Sequence, residues 1–306
     1  MYTIRHGYYA PYFYWMFPLV VANEEGIFKE EGIDFKVTDI VASGQPENKA
    51  DWYFEAFQKG VRDFYFCCAW QGVYSTNATR KGRIVAAAPS TIVKTFAIYA
   101  LPGSEVKSVF DIGEHRYPVA VNKFADAHYV TLKNLRQFLP ESQIKLAHLG
   151  GVEQCFKALL DGTVKAATLA GPYADFAYHI GMRKILGLSR DEPTFVVVDE
   201  SFDKDTIAAF LRAINGGIAR IRKDPEKYKD RFFKEFETVV KAFLPEVAPK
   251  LKSFKDRIQV PVWADLRPVN KEEFEAVKGF MEDTGLITGK SKFEELVDTE
   301  PIVLAK

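Results

Sequence analysis

The chain has 306 residues, 47% hydrophobic and 27% charged, with Lys+Arg and Asp+Glu each totalling 41. This is ordinary globular composition, long enough for two domains; it excludes extended disorder, and the absence of a basic excess excludes binding to nucleic acid or an anionic membrane by charge alone. The unusual figure is aromatic content: 25 Phe, 14 Tyr and 4 Trp, or 14% of the chain.

In chain order, Thr3 to Tyr9 reads as a strand. Phe17 to Phe28 reads as a helix, with Leu19, Val20, Ile27 and Phe28 spaced for one face and Gly32 as the stop. Asp34 to Ile40 alternates apolar and polar residues, a strand pattern, and Ser43-Gly44-Gln45-Pro46 marks a turn. A helix over Ala50 to Lys59, a buried strand over Asp63 to Ala69, a helix over Gly72 to Arg80 and a strand over Ile84 to Ala88 follow. Lys94 to Leu101 reads as a long strand, Val106 to Ile112 as a short helix, and Tyr117 to Val121 as a strand. Then come the helix Ala125 to Phe138, the strand Ile144 to Leu149, the helix Val152 to Leu160 and the strand Ala166 to Leu169. Gly171-Pro172 opens the helix Tyr173 to His179, and Thr194 to Val198 reads as a strand returning toward the first half. Beyond Lys204 the pattern is mostly helical, over Thr206 to Arg222, from Asp224-Pro225, and over Glu272 to Glu282.

Strands alternating with helices predict an α/β fold. The β-α-β-α-β series occurs twice, which predicts two Rossmann-like lobes with mixed sheets joined by two crossover strands. The expected division is residues 1–95 plus 200–306 for the first lobe, with the C-terminal helices, and 96–199 for the second. Ligands in such sheets bind outside the carboxyl ends of the strands, so two facing lobes predict a cleft between them.

Several segments carry a family resemblance. The run from Phe17 to Ile33 (FPLVVANEEGIFKEEGI), the element Glu55 to Phe64 and the element Ala158 to Ala167 occur in order, followed by Gly171-Pro172, Phe210 to Ala213 and Lys223 to Glu226. Together they resemble the type II periplasmic binding protein fold, nearest to its nitrate/sulfonate/taurine and thiamine-pyrimidine group. Lys165 stands where the family usually has an acid. The resemblance implies a solute-binding protein for ABC-type uptake, with a small-molecule ligand and a permease as partners. It also implies an alternative, because cytoplasmic enzymes share this fold: a pyrimidine synthase of thiamine biosynthesis and the biphenyl sulfinate desulfinase. The synthase's Cys-rich motif is missing here, and the loop after the first strand is Tyr-rich without the desulfinase's Cys. Neither activity transfers, and the enzyme reading stands as an unspecified decarboxylase, desulfinase or biosynthetic type acting on an aromatic acid or heterocycle.

Tyr8, Tyr9, Tyr12, Phe13, Tyr14 and Trp15 crowd the loop after the first strand. Tyr and Trp join a flat apolar face to a polar handle, which suits a planar ligand. Core packing is the competing reading for Phe13 and Phe17. Trp70 and Tyr173 are further candidate walls, one from each lobe. Gly44, Ser90 and Thr91 lie in turns after strands, where they offer hydrogen bonds or simply form the turn. The segment from Asn122 to His128 joins a strand to a helix N-terminus, a favourable place for an anion, with Lys123 adding charge. In the resembled family this turn holds the ligand's acidic group. Asp126 as a helix cap is the rival reading there, and His128 completes the candidate set. The enzyme reading takes Cys68 with His128 or His6 as a thiol–imidazole pair, with Asp126 and Lys123 as further players. Cys67, Cys68 and Cys155 are read foremost as small buried residues. No spacing suggests a metal, no motif a cofactor, and no stretch reaches membrane-spanning length. A leader upstream of Tyr2 would place the protein in the periplasm or outside the cell; a native start at Met1 would place it in the cytoplasm.

Overall fold

A computed structural model describes residues 2–39, 57–79, 81–89, 95–122, 125–287 and 291–306. Strand β1 (Tyr2–Tyr8) runs parallel to β2 (Ile33–Asp39), with Ile4 opposite Phe35 and His6 opposite Val37. Between them lies helix α1 (Phe13–Glu24). Next come β3 (Phe64–Cys68), α2 (Ala69–Thr79) and β4 (Arg83–Ala88). The backbone N–H of Asp63 donates to the Arg5 carbonyl, 3.0 Å, so the start of β3 lies beside β1.

A second sheet has the order β7-β6-β8-β5-β9. Its parallel strands are β6 (Val119–Asn122), β7 (Leu146–Leu149) and β8 (Ala166–Ala170). Strand β5 (Phe96–Ala100) is antiparallel to both β8 and β9 (Arg183–Gly187). Helices α3 (Val109–Glu114), α4 (Asp126–Leu135), α5 (Val152–Leu160) and α6 (Pro172–His179) connect these strands. The chain then returns: β10 (Thr194–Val198) sits between β3 and β4, antiparallel to both. β10 therefore shares a sheet with β3 and β4. The result is a mixed α/β fold with two crossovers, β4 to β5 and β9 to β10.

Of the C-terminal helices, α7 (Lys204–Lys223) packs on α1 and α9 (Lys271–Asp283) on α2, while α8 (Lys229–Phe243) touches both α1 and α5. Helix α7 crosses α1 at Gly217, where a Cβ would stand 2.2 Å from the Pro18 carbonyl oxygen. Only a glycine lets the two backbones approach this closely.

Three expectations change. Helix α1 begins at Phe13, not Phe17, and contains Pro18. The proline removes the N–H that would reach the Tyr14 carbonyl, but nearly every residue from Phe13 to Ala22 is buried, and that burial outweighs the lost bond. Helix α2 begins at Ala69, so Trp70 is helical. Strand β9 was not expected, because Arg183 and Lys184 break the apolar pattern. The expected turn at 43–46, and the helix Ala50 to Lys59 except its end, lie outside the described residues.

Candidate functional site

The parallel strands β6, β7 and β8 end on one edge, and a helix N-terminus follows closely after each. Strand β6 ends at Asn122, and α4 starts at Asp126. After β7, Gly150-Gly151 leads into α5, whose first turn holds Glu153. A Cβ on Gly151 would lie 2.2 Å from Glu153 Oε2, so these glycines let the carboxylate fold back over its own helix start. The helix dipole favours the charge there. After β8, Gly171 at φ 54° turns the chain into Pro172 and Tyr173. This edge is the crevice position of a parallel sheet.

The loop after β1 faces this edge. Tyr9 donates its hydroxyl to Glu153 Oε1. Asn122 Nδ2 donates to the Tyr12 hydroxyl at 2.8 Å, and the Tyr173 hydroxyl donates to the Pro11 carbonyl at 2.9 Å. Tyr9 and Tyr12 lie 5.2 Å apart, ring to ring, and Tyr14 meets Tyr173 edge-on at 6.0 Å. Arg190, in the second crossover, links the parts: it pairs with Asp126 at 3.4 Å, lies 5.2 Å over the Trp15 ring, and donates to Thr194 Oγ1 at 3.1 Å. This junction therefore contains buried charge of both signs, with Glu153 1%, Asp126 7% and Arg190 9% exposed.

Burial sets the protonation of these groups. It pushes the Asp126 carboxyl above its usual range, opposed chiefly by Arg190. It pushes the Tyr9 phenol up, and the Glu153 charge adds to the effect, so Tyr9 remains a donor. It also pushes the Cys68 thiol well up, with Asp126 adding to the effect.

The expected site residues divide into three groups. Tyr9, Tyr12, Trp15, Asp126 and Tyr173 come together beside the strand ends through the contacts above. Trp70 and His128 lie to one side. Trp70 stacks on Tyr129 at 5.2 Å and packs toward Phe280, between α2, α4 and α9. His128 stacks on Tyr129 and meets His148 edge-on at 4.7 Å. Gly44, Ser90, Thr91 and Lys123 lie outside the described residues. Asp126 is the first helical residue of α4, not its cap; the cap position is Ala125, with no side-chain bond. Of the thiol–imidazole reading, Cys68 faces the Asp126 carboxylate and accepts from the Gln71 N–H, while His6 lies stacked between Phe35 and Phe64. Among the described residues no group of three or more His, Cys, Asp or Glu is placed to hold a metal, and no helix is long and apolar enough to cross a membrane.

Sequence reasoning missed Glu153 and Arg190. Gly150-Gly151 ahead of an acidic helix start was the available signal for the first. Nothing marked Arg190, since Ser189-Arg190-Asp191-Glu192-Pro193 reads as a solvated turn.

Comparison with known proteins follows the same lines. A sequence profile of the family described as NMT1/THI5 like matches residues 15–228. No curated protein sequence gives a significant match. Among solved structures, the periplasmic aliphatic sulphonate binding protein SsuA from Escherichia coli superposes with a TM-score of 0.72 at 19% identity, covering 98% of this chain and 92% of that one. A ligand binding component of an ABC-type import system from Staphylococcus aureus gives 0.71 at 11% identity, covering 100% and 99%. The desulfurization enzyme DSZB gives 0.61 at 12% identity, covering 100% and 99%. At such identities the likeness shows a shared fold.

Proposed function

This chain belongs to the NMT1/THI5-like family, and from that premise we propose that it is a solute-binding protein of an ABC-type uptake system. It holds a small aromatic anion between its lobes and presents the closed form to a permease, outside the cytoplasm. One observation carries the reading: side chains of the β1 loop bridge to the strand ends of the second lobe, Tyr9 to Glu153 and Tyr12 to Asn122. Closure thus brings rings and hydrogen-bonding groups from both lobes onto one crevice, as hinge-bending capture of a small molecule requires. Tyr9, Tyr12, Trp15 and Tyr173 supply flat walls, and Arg190 supplies the positive charge for an acidic group. The sulphonate receptor and the import component that share the fold support the class of role.

The enzyme alternative draws on the contact between Cys68 and Asp126 and on the likeness to DSZB. Its weakness is electrostatic. A nucleophilic thiol needs a lowered pKa, and burial beside a carboxylate raises it.

A thermal-shift panel of aromatic acids, alkyl sulfonates and pyrimidines tests the proposal. A true ligand at a hundredfold excess over its Kd adds about 2.7 kcal/mol of stability. A response to small alkyl sulfonates with none to aromatics overturns the aromatic part. Steady conversion of a responding compound to product overturns the receptor role.

A further inference from the structure

Trp263 lies in the irregular stretch between α8 and α9, beyond the family-matched residues, and is 1% exposed. Its ring stands edge-on to Trp15, 6.4 Å between centroids and 83° between planes. It also packs on Phe66 at 5.0 Å. Phe66 is two residues before Cys68, the crevice end of β3, and a strand's alternation puts both on one face.

The indole N–H of Trp263 is buried and has no hydrogen-bond acceptor among the described residues. Indole nitrogen is a donor only, with no second role to satisfy. Native proteins leave few such donors unmatched in their interiors, because a buried orphan forfeits its bond to water and gains nothing. The ring contacts of Trp263 with Trp15 and Phe66 are apolar. The same Trp15 that Trp263 touches carries the Arg190 guanidinium over its face. Two donors of different kinds therefore border one aromatic wall.

We propose that Trp263 is a ligand-binding residue: its N–H donates to an oxygen of the bound solute, while Trp15 and Trp263 at right angles box the solute's planar part. The inference rests on the crevice reading above and narrows it. The solute has an oxygen acceptor close to its ring, as in an aromatic carboxylate or sulfonate, so that Arg190 and Trp263 serve the same acidic group.

The test uses the whole chain with benzoate and benzenesulfonate as probes. Trp263→Phe keeps a six-membered ring against Trp15 and Phe66 and removes the donor together with the five-membered part of the indole. The expected result is an affinity for the better probe at least about tenfold weaker, the loss of a bond to a charged acceptor. The melting temperature without probe should fall, because the smaller ring leaves a cavity, so affinity is compared at a temperature where both proteins are folded. Independently of that variant's folding, the Trp263 indole proton of the wild-type protein should move downfield as the probe saturates. Affinity kept within threefold, or an indole signal that stays fixed at saturation, overturns the role of Trp263 while leaving the crevice as the binding place. Wild-type protein that binds neither probe overturns both readings.

Discussion

Two aromatic clusters lie along strand β1, one around its middle and one past its end, and they are built differently. Around its middle, His6, Phe28, Phe35, Phe64 and Phe210 stack on one another, Phe28 on Phe35 at 4.1 Å and nearly parallel, Phe64 against Phe210 at 4.6 Å. Apart from the imidazole nitrogens, which have no hydrogen bonds among the described residues, those rings carry no polar handle. Past its end, Tyr9, Tyr12, Tyr14, Trp15 and Tyr173 are almost as buried, but their hydroxyls and faces meet Glu153, Asn122, a carbonyl and Arg190. Ring content alone does not mark a site. What separates the clusters is that one spends its contacts within a lobe and the other ties two lobes together through polar groups.

The largest effect belongs to the first cluster. Phe64→Ala should cost about 3–5 kcal/mol in chemical denaturation, because a fully buried ring leaves a cavity, while ligand affinity under native conditions stays put. A cost below about 1 kcal/mol, or a lost ligand response, would erase the contrast.

The same cluster should make the protein acid-sensitive. Burial and the nearby Arg62 charge hold the His6 imidazole down, from 6.5 to about 3. Between those values the unfolded chain binds the proton and the folded one does not, so stability is full above pH 6.5 and falls as the pH drops toward 3. Lowering the pH from 6.5 to about 4.5 should remove about 2–3 kcal/mol. His6→Phe should flatten that slope; a slope unchanged by the substitution assigns it to other groups.

In the second cluster, Tyr9→Phe removes one interlobe bond and leaves the buried Glu153 carboxylate with one donor fewer. The expected cost is about 1–3 kcal/mol, together with a larger radius of gyration in solution scattering as the lobes part. Unchanged scattering would reduce Tyr9 to ordinary packing. Smallest of all, Lys204→Ala breaks a solvent-exposed pair with Glu300 and should leave the melting midpoint unmoved.

Much of the architecture was legible beforehand. The repeated strand–helix alternation, the glycine stops and the amphipathic α7 are local patterns that each declare themselves within a few turns. The β1 loop was legible as a site candidate because six rings fall within eight positions. Helix α1 was misjudged because Pro18 is a breaker in isolation and only its burial under α7 overrides that. Glu153 and Arg190 were not legible, because a charged residue looks the same in sequence whether water or a buried counter-charge surrounds it. Trp263 was hidden for the same reason: nothing local says whether an indole nitrogen finds an acceptor.

The sequence by itself determined the α/β class, the order of most elements and the aromatic richness of the first loop, because periodicity and turn chemistry act over short stretches of chain. The tertiary structure alone decided which rings stack in the core and which face the second lobe. It alone decided that Asp126 and Arg190, 64 positions apart, share one buried pair. Burial and pairing are properties of neighbours brought together by folding, and in this protein those neighbours stand far apart along the chain.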